Sequence, residues 1–362
     1  MNAGRRETGG PRPPRAGCAA DAGRRARAAA ARGGLRIAEL DTNDEFGRVV
    51  ELFDDIWHPE PWNPPVTAEL MRALSHAGGY VAGAFDGPDL VGACVGFLAA
   101  PAGQVLHSHV TGAVRPGAGF ALKLHQRAWA LRRGLSRITW TFDPLVRRNA
   151  HFNLVKLAAR PEEYLPDFYG PMGDALNAGD ESDRLLAVWR LGSPAVSRAC
   201  AGVPYRPASA DGAGRALIER DGRPLILRTD APAVLVAVPA DMETLRRRDP
   251  ATAAAWRHAV REVLGGLMAE GGRVTGFADG CYVVVRRPVR RPGGLGSGAG
   301  GGAHGSGSGP GGPGRPPGGL GSGAGADGGA DGGPGGAAHG PGGGASGGAG
   351  PAGGAGPGGP GR

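Results

Sequence analysis

The stretch Val110-Thr-Gly-Ala-Val-Arg-Pro-Gly-Ala-Gly-Phe-Ala-Leu-Lys-Leu124 constrains the fold of this chain more than any other. It reads as the end of a strand, a glycine-bearing turn and the start of a helix. Gly117 and Gly119 leave backbone N–H groups without side-chain cover where the helix begins. A helix start presents unsatisfied donors and the positive end of its dipole, so a phosphate or pyrophosphate fits there without further machinery. Downstream, Ile138-Thr-Trp-Thr-Phe-Asp-Pro-Leu-Val-Arg-Arg-Asn-Ala-His-Phe-Asn153 reads as a second strand, a break at Pro144 and a second helix. Two strand–helix pairs around a glycine turn point to an α/β unit with a site for a phosphate-bearing cofactor.

Not all 362 residues can build a core. Beyond about residue 289 the chain is almost entirely Gly, Pro, Ala and Ser, and it holds about half of the 70 glycines. Such a segment cannot bury enough apolar surface to offset its ordering entropy. Its glycines do not recur strictly every third residue, which disfavours a collagen helix. Residues 289–362 are expected to be disordered. The first 34 residues are also poor in core formers, and their eight arginines face only Glu7 and Asp21. They carry most of the chain's net charge of +8, so residues 1–34 read as a disordered basic arm. Nucleic-acid binding through that arm is disfavoured, because no aromatic residues interleave with its basic ones. The sequence has no apolar leader core and no run of about 18 apolar residues, so no membrane partner is expected. Cys18, Cys94, Cys200 and Cys281 are far apart and form no C-x-x-C pair. No metal site is expected, and the pattern fits a reducing cytoplasm.

The foldable region therefore spans about 35–288. Leu35–Leu40 reads as a strand. Asp41-Thr-Asn-Asp44 offers caps for a helix carrying Phe46, Val49, Val50 and Phe53. Four prolines between Trp57 and Pro65 require a loop. Thr67 caps a helix to about His76. Strands follow at 79–85, 90–99 and 104–112, then a helix over 119–133 with Ala121, Leu124, Ala128 and Leu131 on one face and Lys123, Arg127 and Arg133 elsewhere. A strand at 136–142, a helix over 147–158 and a strand near 184–190 complete a first domain, 35–192. Residues 193–288 read as a small α+β accessory domain, with hairpin turns at Asp221-Gly222 and Asp279-Gly280 and an amphipathic helix around Trp256.

The order strand, two helices, three meandering strands, helix, strand, helix, strand, with its glycine turn ahead of the third helix, resembles the Gcn5-related N-acetyltransferase (GNAT) superfamily. Leu106-His-Ser-His-Val-Thr-Gly112, Ala121-Leu-Lys-Leu-His-Gln-Arg-Ala-Trp-Ala-Leu131, Thr139-Trp-Thr-Phe-Asp-Pro-Leu145, Asn149-Ala-His-Phe-Asn153, Asp167-Phe-Tyr-Gly170 and Ser182-Asp-Arg-Leu-Leu186 are similar to a bacterial branch of it. The resemblance implies an α/β (α+β) fold: a mixed, mostly antiparallel sheet flanked by helices, with the C-terminal α+β extension. It also implies an N-acyltransferase that moves an acyl group from acetyl-CoA, or a larger donor such as succinyl-CoA, to a small-molecule amine, for example an amino acid. Relatives of the superfamily often dimerise.

By resemblance, the acyl-CoA lies along Val110 and Gly112 and against Arg115, Gly117, Ala118, Gly119 and Phe120, with Asn149 on its pantetheine arm. The turn departs from the superfamily pattern. Val114 stands at the basic position, Arg115 follows one residue late, and Pro116 removes a backbone donor. Leu154 stands where many relatives place a tyrosine that protonates the leaving thiolate; Tyr164 or Tyr169, just downstream, could substitute, or solvent could serve. Transfer to an amine needs a base. His107 and His109 lie two apart, hence on one strand face, and histidine suits that task near neutral pH. Asp143 is expected to orient the base or bind the acceptor, and the Trp57–Trp62 loop to wall the acceptor side. Pro116 and Leu154 keep a second reading open, a catalytically degenerate GNAT-fold protein that binds a ligand or partner.

Overall fold

The computed structural model describes residues 16–60, 63–170, 180–208 and 211–287. Residues 1–15 and the Gly/Pro-rich segment from 288 onward, like Trp62 of the proline loop, lie outside the described residues.

Seven strands form the first sheet, in the order β1 (Arg36–Glu39), β2 (Tyr80–Asp86), β3 (Asp89–Ala99), β4 (Val105–Ala113), β5 (Arg137–Phe142), β7 (Arg184–Arg190) and β6 (Arg160–Leu165). All neighbours are antiparallel except β4 and β5. This is the mixed, mostly antiparallel sheet expected from the sequence. The parallel pair holds register only over Val105–His107 against Arg137–Thr139. Beyond those residues the two strands splay apart. Side chains alternate across the sheet as the pleat requires. Val81, Ala93 and Val95 face a core with Phe46, Val49 and Phe53 of α2 (Asn43–Trp57) and Met71 of α3 (Ala68–His76). Tyr80, Ala82 and Cys94 face the opposite core, beneath α4 (Ala118–Arg132). Thr42 and Glu45 form a reciprocal capping box on α2, and Thr67 caps α3, each worth about 1 kcal/mol.

The N-terminal arm departs from expectation. Residues Ala16–Arg32 form a helix, α1, that lies on α4. Cys18, Ala22, Ala26, Ala29 and Ala30 recur at helical spacing, and the four alanines are buried. Alanine and arginine are both strong helix formers. A stripe of the smallest apolar side chain lets two helices approach closely. As a result Arg127, expected away from the buried face, is buried, while Lys123, expected likewise, and Gln126 are buried on the sheet side against Ser108 of β4. Arg127 is satisfied by the Leu191 carbonyl (2.7 and 3.1 Å), Ser197 Oγ (3.3 Å) and Cys18 Sγ (3.7 Å).

The C-terminal residues build a second sheet in the order β11 (Arg273–Ala278), β12 (Cys281–Val285), β10 (Ala233–Ala237), β8 (Gly214–Arg220) and β9 (Arg223–Ile226). Both Asp-Gly turns have positive φ at both residues, 51° and 77° at Asp221-Gly222 and 49° and 75° at Asp279-Gly280, the backbone a two-residue hairpin needs. Helices α6 (Pro194–Cys200), α7 (Met242–Arg248) and α8 (Pro250–Val260) join this half, the last running on through a π-helical turn, Arg261–Gly265, into α9 (Gly266–Ala269). The second sheet does not own a separate core. Val234, Val236, Trp256, Val260 and Tyr282 are buried in one cluster with Leu122, Leu154 and Trp189.

A buried ion network also joins the halves. Asp143, at the end of β5, receives Arg257 of α8 (2.8 and 2.9 Å) and Arg246 of α7 (2.5 Å). Both arginines also reach Asp180, at 2.7 and 3.0 Å. Burial opposes charge on Asp143, but the two guanidiniums outweigh it and hold its carboxyl well below the usual range.

Candidate active site

The splay of β4 from β5 opens the sheet, and two cavities meet there. The larger, of about 950 Å³, runs from the glycine turn under Thr111 and Trp140 to the β11–β12 hairpin. The smaller, of about 480 Å³, lies on the side of Trp57 and the proline loop. His109, Thr111, Thr141, Phe142, Arg148 and Asn149 line both. A ligand in one chamber can therefore meet a ligand in the other across the gap between the strands.

The larger cavity has the features of a polyanion site. Gly117 opens α4 with φ +89°, a backbone that favours glycine. A Cβ on Gly117 or Gly119 would meet no protein atom within 4 Å. The space over the turn is open to a ligand, and the donors of the first helical turn face it. Arg115, Lys123, Arg147, Arg148 and Lys156 line this chamber against one carboxylate, Asp279. Arg115 is ion-paired with Asp86 across the turn from β2. Arg147 gives Nη2 to the Val238 carbonyl (2.7 Å), while its buried Nε has no partner among the described residues. A Cβ on Gly280 would strike that guanidinium at 2.6 Å, so the glycine of the second hairpin is what lets Arg147 lie along the cavity wall. The accessory half thus supplies one side of the chamber, a contribution its sequence did not disclose. Arg115, Gly117, Gly119, Phe120 and Asn149, five of the residues expected to bind CoA, line the chamber. Three other expected members do not. Ala118 is fully buried beneath the turn. Val110 faces the smaller cavity. Gly112 lines neither; it is buried because Trp57 and Ile56 close over it, and a Cβ there would strike both side chains within 3 Å.

Asn149 lies inside α5 (Arg147–Ala150), whose N-cap is Val146, so it does not serve as a cap. The helix then widens into a π turn over His151–Lys156, which the sequence period did not disclose. Leu154 points into the core with no exposure.

His107 and His109 share a strand face, and Phe97 touches both rings, at 5.2 and 5.9 Å. They do not share a role. His107 Nδ1 bonds Thr139 Oγ1 at 3.1 Å, closing the last parallel pair, and lines neither chamber. Burial, His109 and Lys123 push it down to about 4, so it stays neutral. Only His109 reaches the gap. Asp143, expected to orient the base or bind the acceptor, lies at the wall of the smaller chamber. Both of its oxygens are held by arginines, and Oδ1 also accepts from the Leu145 N–H at 2.8 Å. Tyr164 donates to Asp183 at 2.6 Å, and burial and that carboxylate raise it far above the usual tyrosine range. Tyr169 lines the smaller chamber only, bonded to Thr141 Oγ1 at 2.9 Å and overlain by the Arg184 guanidinium at 5.4 Å. Arg148, Arg184 and Arg246 line that chamber too.

Lys123 was not expected here. Its ammonium, 5% exposed, donates to Ser108 Oγ (2.8 Å) and Gln126 Oε1 (3.3 Å) and lies 4.3 Å over the Trp140 ring. Ser108 and Trp140 are the first residues of β4 and β5 past the last paired positions. The amine therefore sits at the vertex of the splay.

No protein-family model matches the sequence, and no curated protein matches it. Solved structures do. An acetyltransferase of the GNAT family from Streptococcus pneumoniae aligns at 14% identity over 42% of this chain and 98% of its own, with a TM-score of 0.35. The ribosomal-protein-S18-alanine N-acetyltransferase of Escherichia coli aligns at 11% identity over 44% and 95%, with a TM-score of 0.35. A Salmonella typhimurium protein described as an acetyltransferase and solved with its cofactor acetyl-CoA aligns at 14% identity over 44% and 94%, with a TM-score of 0.36. Each alignment spans nearly all of the smaller protein and less than half of this chain. Among the described residues no helix is long and apolar enough to cross a membrane, and no cluster of metal-ligating side chains occurs.

Proposed function

We propose that this protein is a GNAT-type acyltransferase that moves an acyl group from acyl-CoA to a small amine by direct attack. The carrying observation is the gap between β4 and β5, where a basic chamber that starts at a helix N-terminus meets a second chamber across six shared residues. The reaction joins a polyanionic thioester to an amine, and a divided site of this form brings the two together without exposing the thioester to bulk water.

On this reading the pyrophosphate of CoA takes the donors of the α4 start, Arg147 and Lys156 flank the phosphates, and Asn149 holds the pantetheine arm. The acceptor enters past Trp57, Pro59 and Asn63. The acceptor chamber sets Arg148, Arg184 and Arg246 beside Asp143 and Glu243, with Arg246 bound to Asp143 and Arg148 to Glu243, and the acceptor proposed for this polar chamber is a small amine such as an amino acid. His109, exposed at the lip of both chambers, takes the proton that the amine sheds. His107 and Asp143 hold the strands and the second half in place around it. The donor's acyl group is acetyl or a larger one such as succinyl.

Calorimetric titration with CoA, acetyl-CoA and succinyl-CoA tests the reading. Binding by at least one is expected, and a folded protein that binds none contradicts it.

A further inference from the structure

An acyl transfer leaves a thiolate that must be protonated or stabilised. The residues expected to do so are unavailable: Leu154 is a core residue, Tyr164 is buried against Asp183, and Tyr169 lines the acceptor chamber only. One group in the donor chamber is both buried and cationic at the splay. We propose that the Lys123 ammonium is the counter-ion that stabilises the departing CoA thiolate; this rests on the acyltransferase reading above.

The geometry carries the assignment. Lys123 Nζ bridges the first unpaired residue of β4, Ser108, and the first of β5, Trp140, so it lies where the strands part and the two chambers meet. The hydroxyl, the Gln126 carbonyl and the indole face hold an ammonium without neutralising it. No carboxylate pairs with it among the described residues. The groups facing it are the Cys94 thiol from β3, His107 and Ser108 from β4, Trp140 from β5 and Gln126 from its own helix. Burial brings the amine down to about 8, with the Cys94 thiol pulling the other way. An ammonium fixed in a low-dielectric site before the C–S bond breaks stabilises the negative charge as it develops on sulfur.

The step balances. The amine nitrogen bonds to the thioester carbonyl carbon and the C–S bond breaks. The sulfur keeps the electron pair and leaves as a thiolate ion-paired with the Lys123 ammonium, which keeps its proton. The proton shed by the amine passes to His109 and then to solvent, and the thiolate takes a proton from solvent as CoA leaves.

The test needs no acceptor. Free CoA is bound to the full-length protein, and its thiolate absorbance is followed against pH. Beside a buried ammonium the bound thiol should titrate at least about one pH unit below its free value. In Lys123→Met, with CoA binding checked by calorimetry, that difference should disappear. Lys123→Gln, which can still bond Ser108, serves if the first variant does not fold. A bound thiol that titrates as free CoA does, or a lowered value that survives loss of the lysine, overturns the proposal. Absence of CoA binding to the wild-type protein instead overturns the acyltransferase reading, so the two failures are told apart.

Discussion

His109 and Asp143 show how two residues with similar chemical promise end in different roles. His109 lies on a strand that has lost its neighbour, so its ring stands at the gap. Replacing His109 by alanine should lower turnover by about 100-fold or more, the range for loss of a positioned base, with donor affinity unchanged by calorimetry. Unchanged turnover would remove it from the mechanism. Asp143 is a structural anion. Removing one partner of such a network leaves an uncompensated buried charge at a cost of about 3–5 kcal/mol, so Arg257→Met should shift the urea midpoint down by a corresponding amount. The pH dependence has a definite sign. Because the folded carboxyl lies below its ordinary value near 3.9, its contribution is complete above that value and is lost as pH falls below it toward the folded value. Stability followed from about pH 5 down to about pH 2 should stay level in this contribution above about pH 4 and fall steeply below it in the wild type, and less so in Arg257→Met. Parallel curves would show that Asp143 is not the group responsible.

The elements were legible wherever their period and caps agreed. The capping box at Thr42 and Glu45, the Thr67 cap, the meander and both Asp-Gly turns stand in the structure where the residues pointed. Of the elements that were missed, three show separate reasons. Strand β6 contains Pro161 and two glutamates, which read against a strand, but it is an edge strand, where Pro and charge are tolerated. The π turn inserts a residue into a helical period and leaves no mark in composition. Helix α1 hid because its apolar stripe is alanine, and discarding it made the back of α4 look exposed; this is why Arg127 was read as a surface residue. Deleting residues 1–34 should therefore lower the thermal midpoint by several degrees, since four buried alanines and a buried guanidinium lose their cover. An unchanged midpoint would mean that α1 contributes nothing to stability. At the glycine turn, Gly119→Glu should separate folding from binding. A carboxylate in the first turn of α4 favours the helix by about 0.3–1 kcal/mol, while it repels a pyrophosphate from the same donors.

At the scale of the whole molecule, the chain's resemblance and its glycine turn pointed to the proposed donor side of the site, and topology supplied the rest. The parallel pairing of β4 and β5 stops after three residues, and no local signal marks where a ladder ends. The second half was read as an accessory domain, yet Phe277, Asp279 and Gly280 wall the donor chamber and Arg246 and Arg257 clamp the end of β5. Those contacts lie about a hundred residues apart in sequence, beyond the reach of periodicity. Lys123 was missed because a lysine in a helix reads as solvent-facing, and only the crossing of α4 over the strand vertex buries it.

The most direct measurement is calorimetric titration of CoA, acetyl-CoA and succinyl-CoA into the full-length protein and into Gly119→Glu. The account predicts that the wild type binds at least one of them and that the variant, folded and no less stable, binds it at least about tenfold more weakly, as one misplaced charge at a helix start can achieve. A folded wild type that binds none, or equal binding by both proteins, would contradict a donor site at the glycine turn.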